Sequence, residues 1–289
     1  MKFSIRHTTT YHYSQPVWDS FNDAHLCPVT DDFQKCQSFD LEINPPSGSV
    51  LRRLDFYTNP VHHFEVMEPH TSLVVTAHSL VETFRDTRDH ALPIPRASLS
   101  GLERDDRYYD FLSTSPRIAL GPMWTREATE IVGSLDDVRQ QVEAIMRFIY
   151  QEFSYVAGST HVASKIEEVF PQRRGVCQDF AHIMIALCRA AKIPTRYVSG
   201  YFYVERPVTY TAKDSTVSHA WVECFLPGIG WVAYDPTHNR RADDSYVELA
   251  RGRDYGDVRP LAGTYRGSAE VKMQVSVEVD RTEASCSPA

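Results

Sequence analysis

Gly175-Val176-Cys177-Gln178-Asp179-Phe180-Ala181-His182 opens a stretch whose apolar positions continue at Ile183, Met184, Leu187 and Ala191 before Lys192-Ile193-Pro194. Recurrence every three or four residues predicts a helix with one buried face, and the proline marks its end. Cys177 then falls in the first turn. Backbone N–H groups at a helix start lack partners within the helix and carry partial positive charge, so they favour a thiolate over a thiol. The placement points to a reactive cysteine.

Two later motifs supply what such a cysteine needs. Ser218-His219-Ala220-Trp221 offers a base, and Tyr234-Asp235-Pro236-Thr237 a carboxylate to orient it. Cysteine, histidine and aspartate in that order suggest covalent acyl chemistry. His182 is a poor partner: five positions along the same helix, it points about 140° away from Cys177. His219 comes from a different element and approaches the helix start from outside. Cys188 lies about 16 Å farther along an intact helix, beyond disulfide reach, and reads as a small core residue.

The flanking pattern predicts strands at Arg196–Val204, Ala220–Leu226 and Trp231–Tyr234. The last two are joined by Pro227-Gly228-Ile229-Gly230, which favours a turn. His219 and Asp235 are sixteen positions apart, an even separation that lets them share a face of a hairpin. A plain four-residue turn would pair Leu226 with Trp231 and put Asp235 on the wrong face. The reading therefore expects a bulge or a wider loop between Cys224 and Gly230. Upstream, Asp136-Asp137 precedes Val138, Val142, Ile145, Met146 and Ile149 at helical spacing.

The first ninety or so residues hold short β-rich runs, Phe3–Tyr13, Phe39–Ile43, Leu54–Phe56 and Leu73–Val81, broken by Pro and Asn. Val271, Met273, Val275, Val277 and Val279 alternate with polar residues, predicting a strand that returns to the N-terminal sheet. The fold class expected is α+β: a cysteine-bearing helix on an antiparallel sheet, with an N-terminal antiparallel β domain. The expected divisions are 1–88 for that domain, 89–107 for a linker, 108–262 for the core, 263–281 for the returning strand and 282–289 for a tail.

The chain has 289 residues, 42% apolar and 24% charged, enough for a sizeable core. A formal charge of −8 argues against a nucleic-acid surface. No apolar run approaches the ~20 residues of a membrane helix, and Met1–His7 lacks the apolar core of a signal peptide, so a cytoplasmic protein is expected. The six cysteines are spread without Cys-x-x-Cys spacing, which predicts free thiols and no metal site. Cys27, Cys36 and Cys224 read as packing residues, and Cys286 sits in the polar tail.

Together these motifs resemble the transglutaminase-like superfamily, in its bacterial branch with an appended N-terminal β domain. The resemblance rests on Gly175–His182, Ile193-Pro194-Thr195-Arg196-Tyr197-Val198-Ser199-Gly200-Tyr201, His219-Ala220-Trp221 and Asp235-Pro236-Thr237 in that order. One departure is Lys192-Ile193-Pro194, where members often carry Gly-Ile-Pro. The resemblance implies a papain-like core with Cys177 as nucleophile, His219 as base and Asp235 as its partner, and no organic cofactor.

For the oxyanion, the Cys177 backbone N–H and the Tyr155 hydroxyl rank above the amides of Gln178 and Gln172. Trp221 reads as core or cleft wall, and His238 as a hydrogen-bonded structural or surface residue with the cleft wall as its alternative. The expected activity is hydrolysis of a peptide or amide bond in a peptide or protein substrate. Acyl transfer to an amine co-substrate is the near alternative, and a catalytically silent binding module the second.

Overall fold

The computed structural model describes residues 1–84, 92–159, 165–205 and 218–282. The last seven residues, with Cys286, and the first part of the expected linker lie outside these. Five strands open the chain: β1 (Lys2–Ala24), β2 (Gln34–Asn44), β3 (Val50–Leu54), β4 (Pro60–Val66) and β5 (His70–Thr83). Then come α1 (Asp106–Tyr109), α2 (Pro122–Val132), α3 (Val138–Glu152), β6 (Ser154–Tyr155), α4 (Ile166–Gln172), β7 (Arg174–Gly175) and α5 (Cys177–Ala190). The chain continues through β8 (Thr195–Phe202), β9 (His219–Leu226), β10 (Gly230–Asp235), β11 (Arg240–Arg241), β12 (Tyr246–Gly252), β13 (Leu261–Arg266) and β14 (Val271–Arg281).

The 23-residue β1 organises the N-terminal unit. Its first half lies between β5 and β14, with Phe3 opposite Val81 on one side and Arg281 on the other. Its second half, past an irregularity between His12 and Val17, pairs with β4 and β13. All the pairings are antiparallel, so the chain's last described strand completes the sheet its first strand begins. β4 escapes the sequence pattern because Pro60-Val61-His62-His63 shows no clean alternation.

The second unit is a five-stranded antiparallel sheet, β11-β10-β9-β8-β12, with α5 packed on β8 and β9. Its core joins Val142, Ile145 and Ile149 of α3 to Phe180, Ile183, Met184 and Leu187 of α5 and to Tyr197 and Val222 of the sheet. The Asp137 carboxylate starts α3 by accepting from the Arg139 N–H at 3.0 Å, an N-cap at the positive end of the helix.

Residues 92–107 differ from the expected linker. Ile94 and Leu99 are buried in the second unit's core, and Val138 N–H donates to the Ile94 carbonyl at 2.8 Å. Two anchors in a polar stretch are too sparse to register as periodicity.

Phe3, Ile5, Val81 and Val277 from the N-terminal sheet pack on Tyr201, Val247 and Leu249, tying the two units together. β12 is the edge of the five-stranded sheet, and its open backbone is met by side-chain amides. Asn59 donates to the Arg251 carbonyl and accepts from its N–H, each at 2.8 Å. Gln34 does the same for Glu248, at 2.8 and 2.7 Å. These bonds satisfy groups that an exposed edge strand would leave open.

Candidate active site

Cys177 is the first residue of α5, and the residues around it in sequence fix the helix start. The Asp179 carboxylate turns back to accept the Val176 N–H at 2.8 Å. Gly175 makes room for this: a Cβ there would lie 2.8 Å from Asp179 Oδ2. Gly175 also pairs with Tyr155 in the short β6–β7 ladder. The spacing Gly-Val-Cys-Gln-Asp is thus a backbone device that orients the thiol.

His219 opens β9 and Asp235 closes β10. Leu226 pairs with Gly230, and the register runs without a shift to Tyr234 opposite Val222. The loop is therefore Pro227-Gly228-Ile229, one residue shorter than the plain turn. The offset required by the sequence is present, but it arises from a narrower loop and not from a bulge or a wider one. Gly228 and Gly230 adopt φ of +81° and +107°, which close the tight connection.

The register brings the two side chains together: His219 Nε2 donates to Asp235 Oδ2 at 2.8 Å. The same oxygen accepts from His238 Nδ1 at 2.7 Å and from the Tyr246 hydroxyl at 2.7 Å, while Oδ1 accepts the Thr237 N–H at 2.8 Å. Asp235 has no exposed surface. Burial works to protonate it, but the charge of and hydrogen bond from His219, with those of His238, hold its carboxyl well below the usual range. Burial likewise opposes charge on His219, yet Asp235, aided by Cys177, raises its pKa from 6.5 to about 10. Cys177 and the His219 ring line the same cavity. With Nε2 turned to Asp235, Nδ1 is the nitrogen left for sulfur.

Tyr155 pairs with Gly175, two residues before Cys177, and does not line the cavity that holds Cys177 and His219. Burial, with the negative charges of Cys177 and Asp179, raises its pKa to about 12, so its hydroxyl keeps its proton. Gln178 lines the cavity at Cys177, whereas the Gln172 amide is engaged on its own helix through the Glu168 carbonyl at 3.0 Å. His182 is structural, as its helical position predicts: Nε2 accepts the Tyr255 N–H at 3.1 Å.

Trp221 is a core residue and His238 a hydrogen-bonded structural one, the first reading of each, and neither forms the cleft wall. Neither lines the cavity of about 240 Å³ that contains Cys177 and His219. Trp221 is fully buried against Gly200 and Tyr246, because strand alternation turns it to the opposite face from Ala220 and Val222 in the helix-packed core. His238 is bonded to Asp235, its ring tilted against Phe202 with centroids 4.7 Å apart. Sequence reasoning missed Tyr246, whose pattern context carries no motif, and Tyr197, which lines the cavity.

Among the described residues, His219, Asp235 and His238 bring three potential metal-ligand atoms within 4.8 Å of one another. Their mutual hydrogen bonds already account for the arrangement.

Residues 126–236 match the core of the Transglutaminase-like superfamily, and residues 3–82 match the Bacterial transglutaminase-like N-terminal region. The chain belongs to the transglutaminase-like superfamily. An uncharacterized protein of Mycobacterium leprae is 33% identical over 282 residues, covering 97% of this chain and 99% of that protein. A solved structure from Cytophaga hutchinsonii, described as a candidate cysteine protease, superposes with a TM-score of 0.76 at 26% identity, over 99% of this chain and 92% of that one. A protein-glutamine gamma-glutamyltransferase of Pseudomonas aeruginosa is 35% identical over 98 residues, 32% of this chain and 15% of that protein. The papain-like α+β fold with an N-terminal β domain that the motifs imply is the fold observed.

Proposed function

We propose that the protein is a thiol enzyme that cleaves a peptide or amide bond through a Cys177 thioester. The observation that carries this reading is the Asp235–His219 pair, with Cys177 lining the same cavity as the ring. In this reaction the Cys177 thiol proton passes to His219 Nδ1 as Sγ attacks the acyl carbon, and the carbonyl oxygen becomes an oxyanion. Its donor is the Cys177 backbone N–H at the helix start, and the protonated Tyr155 hydroxyl, outside the cavity lining, is the second candidate. His219 gives the proton it took at Nδ1 to the leaving amine, then takes one from the water that attacks the thioester and returns it to the departing sulfur, releasing the acid. Asp235 fixes the ring and balances its charge throughout.

Water as acceptor is supported by full-length similarity to the candidate cysteine protease. An amine in its place would make the protein a transglutaminase, the reading that the shorter similarity to the glutamyltransferase favours. The partners proposed are therefore a peptide or protein substrate and, on the second reading, an amine.

Iodoacetamide labelling across pH, with the modified cysteine identified by mass spectrometry, tests the reading. Rapid labelling of Cys177 below pH 7 that slows in His219→Ala supports it. Labelling confined to other cysteines, or equal rates in the two proteins, favours a silent binding module.

A further inference from the structure

The cavity at Cys177 is not built by the second unit alone. Its floor is Cys177, Tyr197, Ser199 and His219, and its far wall comes from the N-terminal sheet and its returning strand: His7, Thr9 and Tyr11 of β1, with Met273 and Val275 of β14. In the ladder Thr9 stands opposite Val275 and Tyr11 opposite Met273, so these side chains share one sheet face by simple alternation. Toward the other end of this face, Phe3, Ile5 and Val277 are buried against Tyr201, Val247 and Leu249. The face thus passes from interdomain core to cavity wall. Met273 is 56% exposed, a large apolar side chain left uncovered at the cavity.

The wall is also uncharged. Among the described residues lining the cavity there is no Asp, Glu, Lys or Arg. His7 adds no charge: its ring bonds the Tyr201 hydroxyl at 2.8 Å and Thr9 Oγ1 at 3.1 Å, and burial lowers its pKa to about 4. The free volume of about 240 Å³ is that of about eight waters, room for one large side chain.

We infer that the N-terminal sheet is a specificity wall, in which Met273, Val275 and Tyr11 take an uncharged apolar side chain next to the acyl carbon presented to Cys177. The inference rests on the thiol-enzyme reading and names the substrate class that this reading leaves open. It also gives the appended β domain a role in recognition. Burying an apolar group against this wall continues the packing that the same face makes at its other end, whereas the Met273 and Val275 side chains offer a carboxylate or ammonium group no hydrogen bond to replace its lost water.

Two peptidyl chloromethyl ketones, identical except for phenylalanine or aspartate at the residue bearing the reactive carbon, test this by their rates of Cys177 alkylation in the full chain. Each rate is divided by the iodoacetamide rate of the same protein. The wild type is expected to prefer the phenylalanine reagent at least tenfold, and Met273→Lys to lower that preference by tenfold or more. Val271→Lys, on the same strand but outside the cavity, is expected to keep it, and thermal melting checks that both variants fold. A preference within twofold, an unchanged ratio in Met273→Lys, or an equal loss in Val271→Lys would overturn the inference while leaving the thiol-enzyme reading standing. Failure of iodoacetamide to label Cys177 at all would overturn that reading, and the inference with it.

Discussion

His219 Nε2 and Asp235 Oδ2 meet at 2.8 Å across a hairpin whose loop has three residues, Pro227, Gly228 and Ile229. One more residue in that loop would reverse the facing of every side chain on β10 relative to β9. The constellation therefore depends on a turn that touches neither side chain.

Asp235→Asn is expected to lower turnover on the order of 10²–10⁴-fold with little change in KM, because the ring loses its charged partner and its fixed tautomer. The amide must also face three donors that converge on one carboxylate oxygen. A stability loss of about 2–4 kcal/mol is expected in urea unfolding. An unchanged midpoint would show that these donors are satisfied elsewhere.

The pH dependence of stability reports on His219. Its folded pKa of about 10 lies above the ordinary 6.5, so its contribution is fully present below pH 6.5 and is lost as pH rises toward 10. Asp235, held below the usual carboxyl range, stays charged throughout that window. The stability gap between wild type and His219→Gln, measured by denaturant at pH 6, 8 and 10, is expected to narrow as pH rises. A constant gap would mean that His219 does not change its proton count on folding.

Gly200→Ala places a Cβ 2.1 Å from the Val247 carbonyl oxygen and 2.5 Å from Trp221 Cη2. Backbone cannot yield cheaply, and a loss of about 3 kcal/mol is expected. Gly200 also pairs with His219, so Cys177 labelling should slow in the same variant. Gly48→Ala, with nothing within 4 Å of its added carbon, is the control and should be near neutral in thermal melting.

Lys192 holds φ of +67°, the left-handed conformation that ends α5. A lysine is strained there by about 1–2 kcal/mol, partly offset by the greater freedom of glycine in the unfolded chain. Lys192→Gly is expected to stabilise by about 0.5–1 kcal/mol without altering activity, since the side chain is exposed. A melting temperature that falls would refute this account of the Gly-to-Lys departure.

Much of the site was legible because it is local. Cys177 could be placed from the period of Phe180, Ile183, Met184 and Leu187, and the even spacing of His219 and Asp235 was readable as a shared face. The means of achieving that face was not, since a three-residue loop and a bulge satisfy the same parity. The choice between core and cleft wall for Trp221 was not legible, because sequence gives the alternation of a strand but not which layer covers each side. The segment holding Ile94 and Leu99 looked like a linker for a similar reason: two contacts with a distant helix leave no period.

By itself, then, the sequence determined the cysteine-bearing helix, the strands carrying base and carboxylate, and the alternation of β14. These are matters of short-range periodicity and helix-end chemistry, which neighbouring residues fix. Only the tertiary structure decided that Tyr246 and His238 share Asp235 with His219, that Asn59 and Gln34 close the edge of β12, and that Met273 overlooks Cys177. Each joins residues from separate elements, and such meetings are set by the packing of sheets and helices, which no local pattern in the chain records.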